Sequence, residues 1–515
     1  MRVYLLECSA SQWIPCAERL SENGIEISLW TAWQHLRRDI ESGFPETVFH
    51  DTRDAKIGHH ALPLSPLYDD TCEAVWREQA AMLHEMIARF DHGRDIINID
   101  TAVLCFRLLS YWRAVLEHRP PDLVIFSTPP HVVYDYIVLC LCETLGIPTL
   151  MFEEATVLPP YSISMSHYRD GSERLSAAYA DMLARKSVDV PEAVEALIAR
   201  TQSSYADAIP PREAAVRETL SDYDDLAAFS ARREAEIAAL RAMENDPASG
   251  YRHAINTSSW IKQRGVEFRH SFTGHDAGSL FQRQRLDEQL LTLRRKTFYD
   301  SLTTSTDAIM AEDGPMVFFS MAGQPERTSC PQSGVFSNQF VAISLLAQGL
   351  PQGWRVVVKE HPNQFHPGMY VNMCRSESYY EVLAALPRTV LVATDAPQFD
   401  LLDRAEIVAT TGGTVALEAV MREKPALVFG SPWYQACNGV HCVKDVSGAQ
   451  DAIADIASVT AAPLDEVRRF FAAISEGGFA GMADAPPPEF DIGDALSGAN
   501  LADEILAHAQ RLNAA

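Results

Sequence analysis

The residues with the clearest chemical potential lie in three short polar segments, 324–328, 359–362 and 410–414. Each segment directly follows an apolar run whose length is typical of a buried strand. In an open α/β sheet, ligands bind in the crevice outside the carboxyl ends of the strands. The spacing therefore predicts that the three segments meet at one edge of a parallel sheet and form a binding site there.

The segment 410–414 combines hydroxyls with glycines. Its residues are Thr410, Thr411, Gly412, Gly413 and Thr414. Glycine lets backbone N–H groups approach an anion closely, and the helix expected to begin at about Val415 adds the positive end of its dipole. These features predict a phosphate site. Glu418, one turn into that helix, can accept hydrogen bonds from a ribose diol. A tight connection with a capped helix is the alternative interpretation.

The segment 359–362 offers an ammonium and an imidazole group at a second strand end. Lys359 and His361 can contact a phosphate, His361 can also protonate it, and Pro362 fixes the turn. Glu360 lies between them and is counted with the ligand-binding candidates. Because an apolar valine run precedes this cluster, we interpret it as functional. A strand end solvated by charges is the alternative.

Carboxylates at two other strand ends are candidates for covalent or acid–base chemistry. Glu326 is expected at the mouth of a cleft between two domains, where it could act as a nucleophile or base. Glu153 and Glu154 end an apolar run in the first half of the chain, and Glu154 could act as a general acid or base. The alternatives are an ion pair of Glu326 with Arg327 or Arg355, and an exposed strand end for the other two carboxylates.

Apolar periodicity places these residues in two α/β domains joined by a helical region. A β-α-β opening predicts a parallel sheet for the N-terminal domain, residues 1–163. Residues 164–308 lack strand-like runs and predict a mostly helical insertion. A Rossmann-like domain is predicted over 309–480, and the final helix in 481–515 is expected to pack back on the first domain. The predicted strands are Arg2 to Leu6, Ile25 to Trp30, Asp122 to Ser127, Ile147 to Phe152, Val317 to Ser320, Arg355 to Lys359, Thr389 to Val392, Ile407 to Ala409 and Ala426 to Phe429.

Composition excludes several classes of function. The 515 residues carry a formal net charge of -26, which argues against a nucleic-acid binder and against a broad basic face for anionic lipid. An anionic substrate would have to be held by local devices. The ten cysteines form no CxxC pair, so a zinc site is not expected. Asp222 and Asp224 could suggest a metal–nucleotide site, but no buried strand precedes them, so they are interpreted as a solvated helix start and no metal site is expected. The apolar stretches are too short to span a bilayer. The protein is expected to be cytoplasmic and at most peripheral to the inner membrane.

The three polar segments resemble bacterial surface-polysaccharide proteins of the capsule-synthesis type, which include the retaining β-Kdo transferases that use CMP-Kdo. The resemblance covers roughly Val317 to Tyr434. It implies a GT-B fold, with two Rossmann-like domains facing across a cleft and the nucleotide on the C-terminal one. It also implies that the turns 361–362 and 410–414 hold the CMP phosphate and that Glu418 holds the ribose. Those transferases place an acidic nucleophile near a glutamine-containing loop. Gln324 and Glu326 occupy that neighbourhood here, with Glu where Asp is expected.

The resemblance implies a reaction in which Kdo or a related nonulosonic acid moves from its CMP donor to an oligosaccharide or lipid-linked glycan of a capsule or O-antigen. No cofactor is expected beyond the CMP-sugar substrate, because a single-phosphate leaving group can be stabilised by a helix N-terminus with His and Lys. Retention would proceed through a carboxylate nucleophile. The alternatives are a GT-B transferase or epimerase that uses a UDP- or GDP-sugar, and a non-catalytic assembly scaffold. Fold alone does not decide between them.

Overall fold

The computed structural model describes residues 1–88, 98–205, 226–245, 290–324, 326–365, 375–485 and 490–514. Within these residues the chain forms two seven-stranded sheets. The strands, in chain order, are β1 Arg2–Leu6, β2 Glu26–Ala32, β3 Val48–Asp51, β4 Leu123–Phe126, β5 Thr149–Glu154, β6 Tyr161–Met165, β7 Thr303–Thr304, β8 Met316–Ser320, β9 Arg355–Lys359, β10 Thr389–Val392, β11 Ile407–Thr410, β12 Ala426–Phe429, β13 Val440–Val443 and β14 Phe479–Ala480.

Both sheets have the Rossmann strand order. The first runs β14-β6-β5-β4-β1-β2-β3, with β6 antiparallel to both of its neighbours, and the second runs β13-β12-β11-β8-β9-β10-β7 and is parallel throughout. In each sheet the strand order changes direction at one point. This point lies between β1 and β4 in the first sheet and between β8 and β11 in the second. Ligands of doubly wound folds bind at this topological switch point.

Strand register brings the ends of the central strands of the second sheet level with one another. Ser320 of β8 pairs with Lys359 of β9, and Phe319 pairs with Ala409 of β11. All five residues of β9 are buried, as expected for a parallel strand covered by helices on both faces. The segments that follow these strands therefore leave the sheet along one edge, as the sequence predicts.

Helices cover both faces of each sheet. Their bounds are Trp13–Glu22, Arg37–Gly43, Thr52–Ile57, Asp70–Ala88, Asn98–His118, Tyr134–Leu145, Glu173–Ala184, Glu192–Ser203, Leu226–Asn245, Thr306–Ala311, Gln339–Gly349, Glu377–Ala384, Gln398–Arg404, Val415–Met421, Val446–Ala454, Leu464–Gly477 and Asp494–Ala514. Residues 290–301 are also helical. Among the described helices, none combines the length and apolar character needed to cross a bilayer.

The first domain is completed by residues from the far end of the chain. Strand β6 crosses the predicted boundary at 163, and β14, which lies just before the predicted boundary at 480, pairs with β6 and not with the second sheet. The indole of Trp13 donates to the Ala483 carbonyl at 2.7 Å. Arg19 donates to Asp503, in the last helix, at 2.9 Å. The predicted boundaries thus divide a sheet that the structure keeps together.

The region predicted as a helical insertion packs against the rest of the protein. Helix Glu173–Ala184 lies on helix Leu464–Gly477, where the rings of Tyr179 and Phe470 are 5.3 Å apart. The short strand β7 adds an edge to the second sheet. Residues 206–225 and 246–289, which contain most of the polar part of this region, lie outside the described residues.

Candidate functional site

A pocket lies at the switch point of the second sheet, between the loop after β8 and the turn after β11. Its cavity volume is about 20 Å3, and it is partly open to solvent. The residues that line it are Glu153, Thr328, Gln332, Thr411, Gly412, Ser431, Pro432 and Trp433. Glu153 ends β5 of the first sheet, so both domains contribute to this pocket.

The turn after β11 presents an unused hydroxyl to the pocket. Thr411 is 1% exposed, and its Oγ1 has no hydrogen-bond partner among the described residues. Its neighbour Thr410 is equally buried, but the Oγ1 of Thr410 accepts the Gly413 N–H at 3.3 Å. Gly412 has φ +114, and a Cβ there would lie 3.4 Å from the Thr328 carbonyl. The glycine therefore lets the turn approach the loop after β8.

The other residues of this turn are placed differently from the pocket residues. Thr414 is exposed, and its side chain makes no capping hydrogen bond to the following helix, which has seven residues. Glu418 is partly buried and accepts from the Gln398 amide at 2.8 Å. Neither Thr414 nor Glu418 lines the pocket.

The strand end at β9 is largely internal. Lys359 is buried, and its ammonium donates to the Ala396 carbonyl at 2.8 Å. Glu360 is fully buried in an ion pair with Arg375, and it also accepts from the Tyr380 hydroxyl at 2.8 Å. The prediction that Glu360 contacts a ligand is wrong. Its carboxylate faces the interior and holds the loop that follows β9.

His361 remains at the sheet edge but does not line the pocket. It is partly exposed, and its Nδ1 accepts the Asn363 N–H at 3.1 Å within a short 3-10 turn, Pro362–Phe365. The Gln364 side chain accepts the Gln324 N–H at 3.0 Å, which ties this turn to the loop after β8. His361 and Thr411 thus flank β8 from opposite sides.

The loop after β8 carries the candidate nucleophile. The carboxylate of Glu326 lies over Gly323, where a Cβ would come within 2.9 Å of Oε1. Glu326 is partly exposed, and neither predicted ion pair is present, because Arg327 pairs with Glu153 and Arg355 pairs with Glu312. The Glu326 carboxylate therefore remains at the edge of the sheet.

Gln324 bridges the two domains from the same loop. Its side-chain amide donates to Glu85, in helix Asp70–Ala88 of the first domain, at 3.3 Å. It also donates to the Ser337 carbonyl. The amide is therefore engaged within the protein and fixes the loop that carries Glu326.

Two neighbouring carboxylates of β5 face different surroundings, because successive side chains of a strand point to opposite faces. Glu153 is buried, pairs with Arg327 and accepts from the Gln332 amide at 3.3 Å. Burial raises the pKa of Glu153, and the Arg327 guanidinium opposes that rise. Burial also raises the pKa of Glu154 to about 7, and the nearby Asp484 carboxylate adds to the rise. A carboxyl group with this pKa can give and take a proton near neutral pH.

Several residues of this site are not singled out by any pattern in the sequence. Ser431 and Trp433 follow β12, so the rule that polar strand ends meet at one edge could have found them. Asp484 could not have been found in that way, because it reaches Glu154 from a distant part of the chain. The cross-domain pair of Arg327 with Glu153 also joins residues that no local pattern connects.

The two sheets define a GT-B-like protein, in which two Rossmann-like domains face each other across a cleft. Residues 330–445 match the family described as capsule polysaccharide biosynthesis protein. The resemblance to capsule-synthesis proteins is confirmed for that region, which includes Thr411 and Gly412 and begins after Glu326. No curated protein sequence matches the chain.

The chain is also similar to solved structures at low identity. The UDP-GlcNAc 2-epimerase of Neisseria meningitidis bound to UDP-GlcNAc is 12% identical over 99% of this chain and 100% of that chain, with a TM-score of 0.24. The KpsC β-Kdo 2,7 transferase of Thermosulfurimonas dismutans is 9% identical over 76% and 88%, with a TM-score of 0.29. The β-Kdo 2,4 transferase of the same KpsC is 12% identical over 70% and 82%, with a TM-score of 0.27. Similarities at this level carry no information on substrate or reaction.

Proposed function

We propose that this protein is a glycosyltransferase that moves Kdo or a related nonulosonic acid from a CMP-activated donor to a surface polysaccharide. The observation that carries the proposal is the unpartnered Thr411 hydroxyl in a pocket at the switch point of the second sheet. A buried hydroxyl without a partner costs free energy, so a ligand that hydrogen-bonds to it gains affinity. The match of residues 330–445 to capsule-synthesis proteins supports the choice of reaction.

The donor phosphate would be held by the turn after β11. The Thr411 hydroxyl and the Gly412 backbone N–H would supply donors for a single phosphate. His361, on the other side of β8, would protonate the departing CMP. Glu418, held by Gln398, would accept from the ribose hydroxyls. Donors fixed in advance stabilise developing charge without reorganisation.

The carboxylates would divide the chemical steps between them. Glu326 would attack the anomeric carbon as the bond to the CMP oxygen breaks, and a covalent glycosyl–enzyme ester would form. Glu154 would then take the proton of the acceptor hydroxyl as that oxygen attacks the same carbon and releases Glu326. Two displacements at one carbon retain its configuration.

Nucleotide selectivity tests the donor class. We expect CMP to raise the thermal unfolding midpoint of the protein more than UDP or GDP does, because ligands stabilise the state that they bind. The Thr411→Val variant should lose most of this response. A response selective for UDP or GDP would favour the rival donor classes, and no response to any nucleotide would favour a non-catalytic scaffold.

Release of CMP from CMP-Kdo in the presence of an acceptor glycan tests the chemistry. Glu326→Gln and His361→Ala should abolish release and keep the wild-type thermal midpoint. Arg19→Gln, at an exposed ion pair with Asp503 on the outer helices of the first domain, serves as a matched surface control. Full activity of Glu326→Gln would remove that residue from the role of nucleophile.

A further inference from the structure

We propose that Arg327 recognises the carboxylate of the acidic donor sugar, and that Glu153 occupies the Arg327 guanidinium when the donor is absent. This proposal rests on the proposed function and names the residue that selects an acidic sugar over a neutral one. It assigns the ion pair between the domains to substrate recognition.

The pair lies at the edge of the pocket. Arg327 belongs to the loop after β8, directly between Glu326 and the pocket residue Thr328. Its Nη2 donates to Oε1 of Glu153 in the first domain. The Arg327 side chain is 25% exposed, whereas that of Glu153 is 5% exposed. The guanidinium can therefore be reached from solvent while its partner is enclosed.

The surroundings of the pocket would otherwise repel an anionic sugar. Glu153, Glu154 and Glu326 all lie at the facing sheet edges, and the whole chain has a net charge of -26. A sugar carboxylate in this setting needs a cation close to it.

Arg327 is the cation that is placed to meet this need. Of the Arg and Lys residues that lie at or follow the ends of β8 and β9 in the described chain, Lys359 and Arg375 are buried. Lys359 binds the Ala396 carbonyl and Arg375 binds Glu360. Only Arg327 in this group is partly exposed.

The chemistry of the pair suits an exchange of carboxylates. A guanidinium presents parallel N–H donors that match the two oxygens of a carboxylate. Glu153 already offers Arg327 a carboxylate, so the carboxylate of a ligand would compete with Glu153 for the guanidinium. Glu153 keeps a second donor, the Gln332 amide at 3.3 Å, when the guanidinium turns to a ligand. This second contact lowers the cost of releasing Arg327 from a buried partner.

The test separates recognition of the sugar from recognition of the nucleotide. In Arg327→Gln we expect the KM for CMP-Kdo to rise about tenfold or more, because a charge-assisted contact is lost. The inhibition constant of CMP, which lacks the sugar carboxylate, should change less than about twofold by the same reasoning. Arg327→Lys should fall between these values, since Lys keeps the charge without the fork. Arg19→Gln is the control for loss of an arginine–carboxylate pair elsewhere.

Glu153→Gln tests the competing half of the pair. Removing the competing charge should lower the KM for CMP-Kdo by a larger factor than it lowers the inhibition constant of CMP. Equal increases of both constants in the variants of Arg327 and Glu153 would show a structural brace and overturn the proposal. An unchanged KM in Arg327→Gln would also overturn it. If the wild-type protein binds CMP and the variants give either of these overturning results, only the role of Arg327 is rejected and the proposed function stands. If the wild-type protein binds neither CMP nor CMP-Kdo, the proposed function and the role of Arg327 are both rejected.

Discussion

Two adjacent threonines of the turn after β11 differ in what their hydroxyls do. The Thr410 Oγ1 accepts the Gly413 N–H and so stabilises the turn. The Thr411 Oγ1 is equally buried and has no partner among the described residues. Under the proposed function, the second hydroxyl would find its partner in the donor phosphate.

Valine substitutions at these two positions should have opposite effects on stability. Valine keeps the shape of threonine and removes the hydroxyl. Thr411→Val should leave the free energy of unfolding unchanged or raise it by up to about 1 kcal/mol, while the KM for the donor rises about tenfold. Thr410→Val should cost about 1 kcal/mol, because the Gly413 N–H loses its acceptor. Thermal melts and donor kinetics measure both effects. Equal destabilisation by the two variants would contradict a ligand role for Thr411.

The Glu154 carboxyl group links protonation to stability. Its pKa is raised to about 7 by burial and by Asp484, whereas an unfolded chain has the usual value of 4.5. Between these two values the folded state binds more protons than the unfolded state. The stability that this group contributes is therefore present at low pH and is lost as pH rises through about 7.

Glu154→Gln should remove this pH dependence. We expect the variant to match the wild type at pH near 4.5 and to exceed it at pH near 8 by about 3 kcal/mol. Thermal unfolding midpoints across this range, with Glu22→Gln as a control at an exposed glutamate, provide the measurement. If Glu154→Gln follows the wild-type curve throughout, the carboxyl group does not titrate near neutral pH.

At the scale of elements, the end of β9 shows how a polar strand end can be structural. Glu360 and Arg375 have fully buried side chains, and the pair also gains the Tyr380 hydroxyl and the His361 N–H. Together these contacts fix the point where the chain leaves the sheet. The position of His361 therefore depends on a charge pair beneath it.

Breaking this pair should be costly because it leaves one buried charge without its partner. Glu360→Gln or Arg375→Met alone should lower the free energy of unfolding by about 3–5 kcal/mol. The double variant should lose less than the sum of the two single losses, since residues in one buried network are coupled. Chemical denaturation of the four proteins measures the coupling. Strictly additive losses would show that the two side chains do not interact.

The sequence predicts the interior strands well and the edge strands poorly. The predicted bounds of β9, β10 and β12 agree with the structure, because continuous apolar runs are typical of strands that are buried on both faces. Strands β3, β7, β13 and β14 were not predicted, since each lies at the end of a sheet and is short or mixed in polarity. Strand β6 is antiparallel and alternates in polarity, so it was not recognised as a strand and the predicted domain boundary was placed within it.

The site is predictable to the level of the sheet edge but not to the level of the side chain. Strand ends correctly indicated where Thr411 and Gly412 would lie, because register and topology follow from the apolar runs. The same reasoning placed Glu360 with the ligand-binding residues, although its carboxylate faces the interior. Whether a polar side chain at a strand end turns inward depends on a distant partner such as Arg375, and no local pattern reveals that partner.

At the scale of the whole molecule, the loop after β8 joins the two domains as well as bordering the pocket. Arg327 reaches Glu153, and the Ser337 hydroxyl donates to Glu85 at 2.7 Å. A ligand that displaces one of these contacts changes the cleft and the site at once. If the donor displaces Glu153 from Arg327 as proposed, the loop after β8 would connect substrate binding to the contact between the domains.

The first sheet depends on residues that the ribosome adds after the second domain. Strand β14, the Met482–Asp484 backbone that binds Gln12 and Trp13, and the last helix all follow the second domain in the chain. During translation, the edge of β6 and the surface around Trp13 therefore stay uncovered until the second domain has been synthesised. Glu154 meets Asp484 only at that stage, so the proposed acid–base group acquires its final environment only after the second domain has been synthesised.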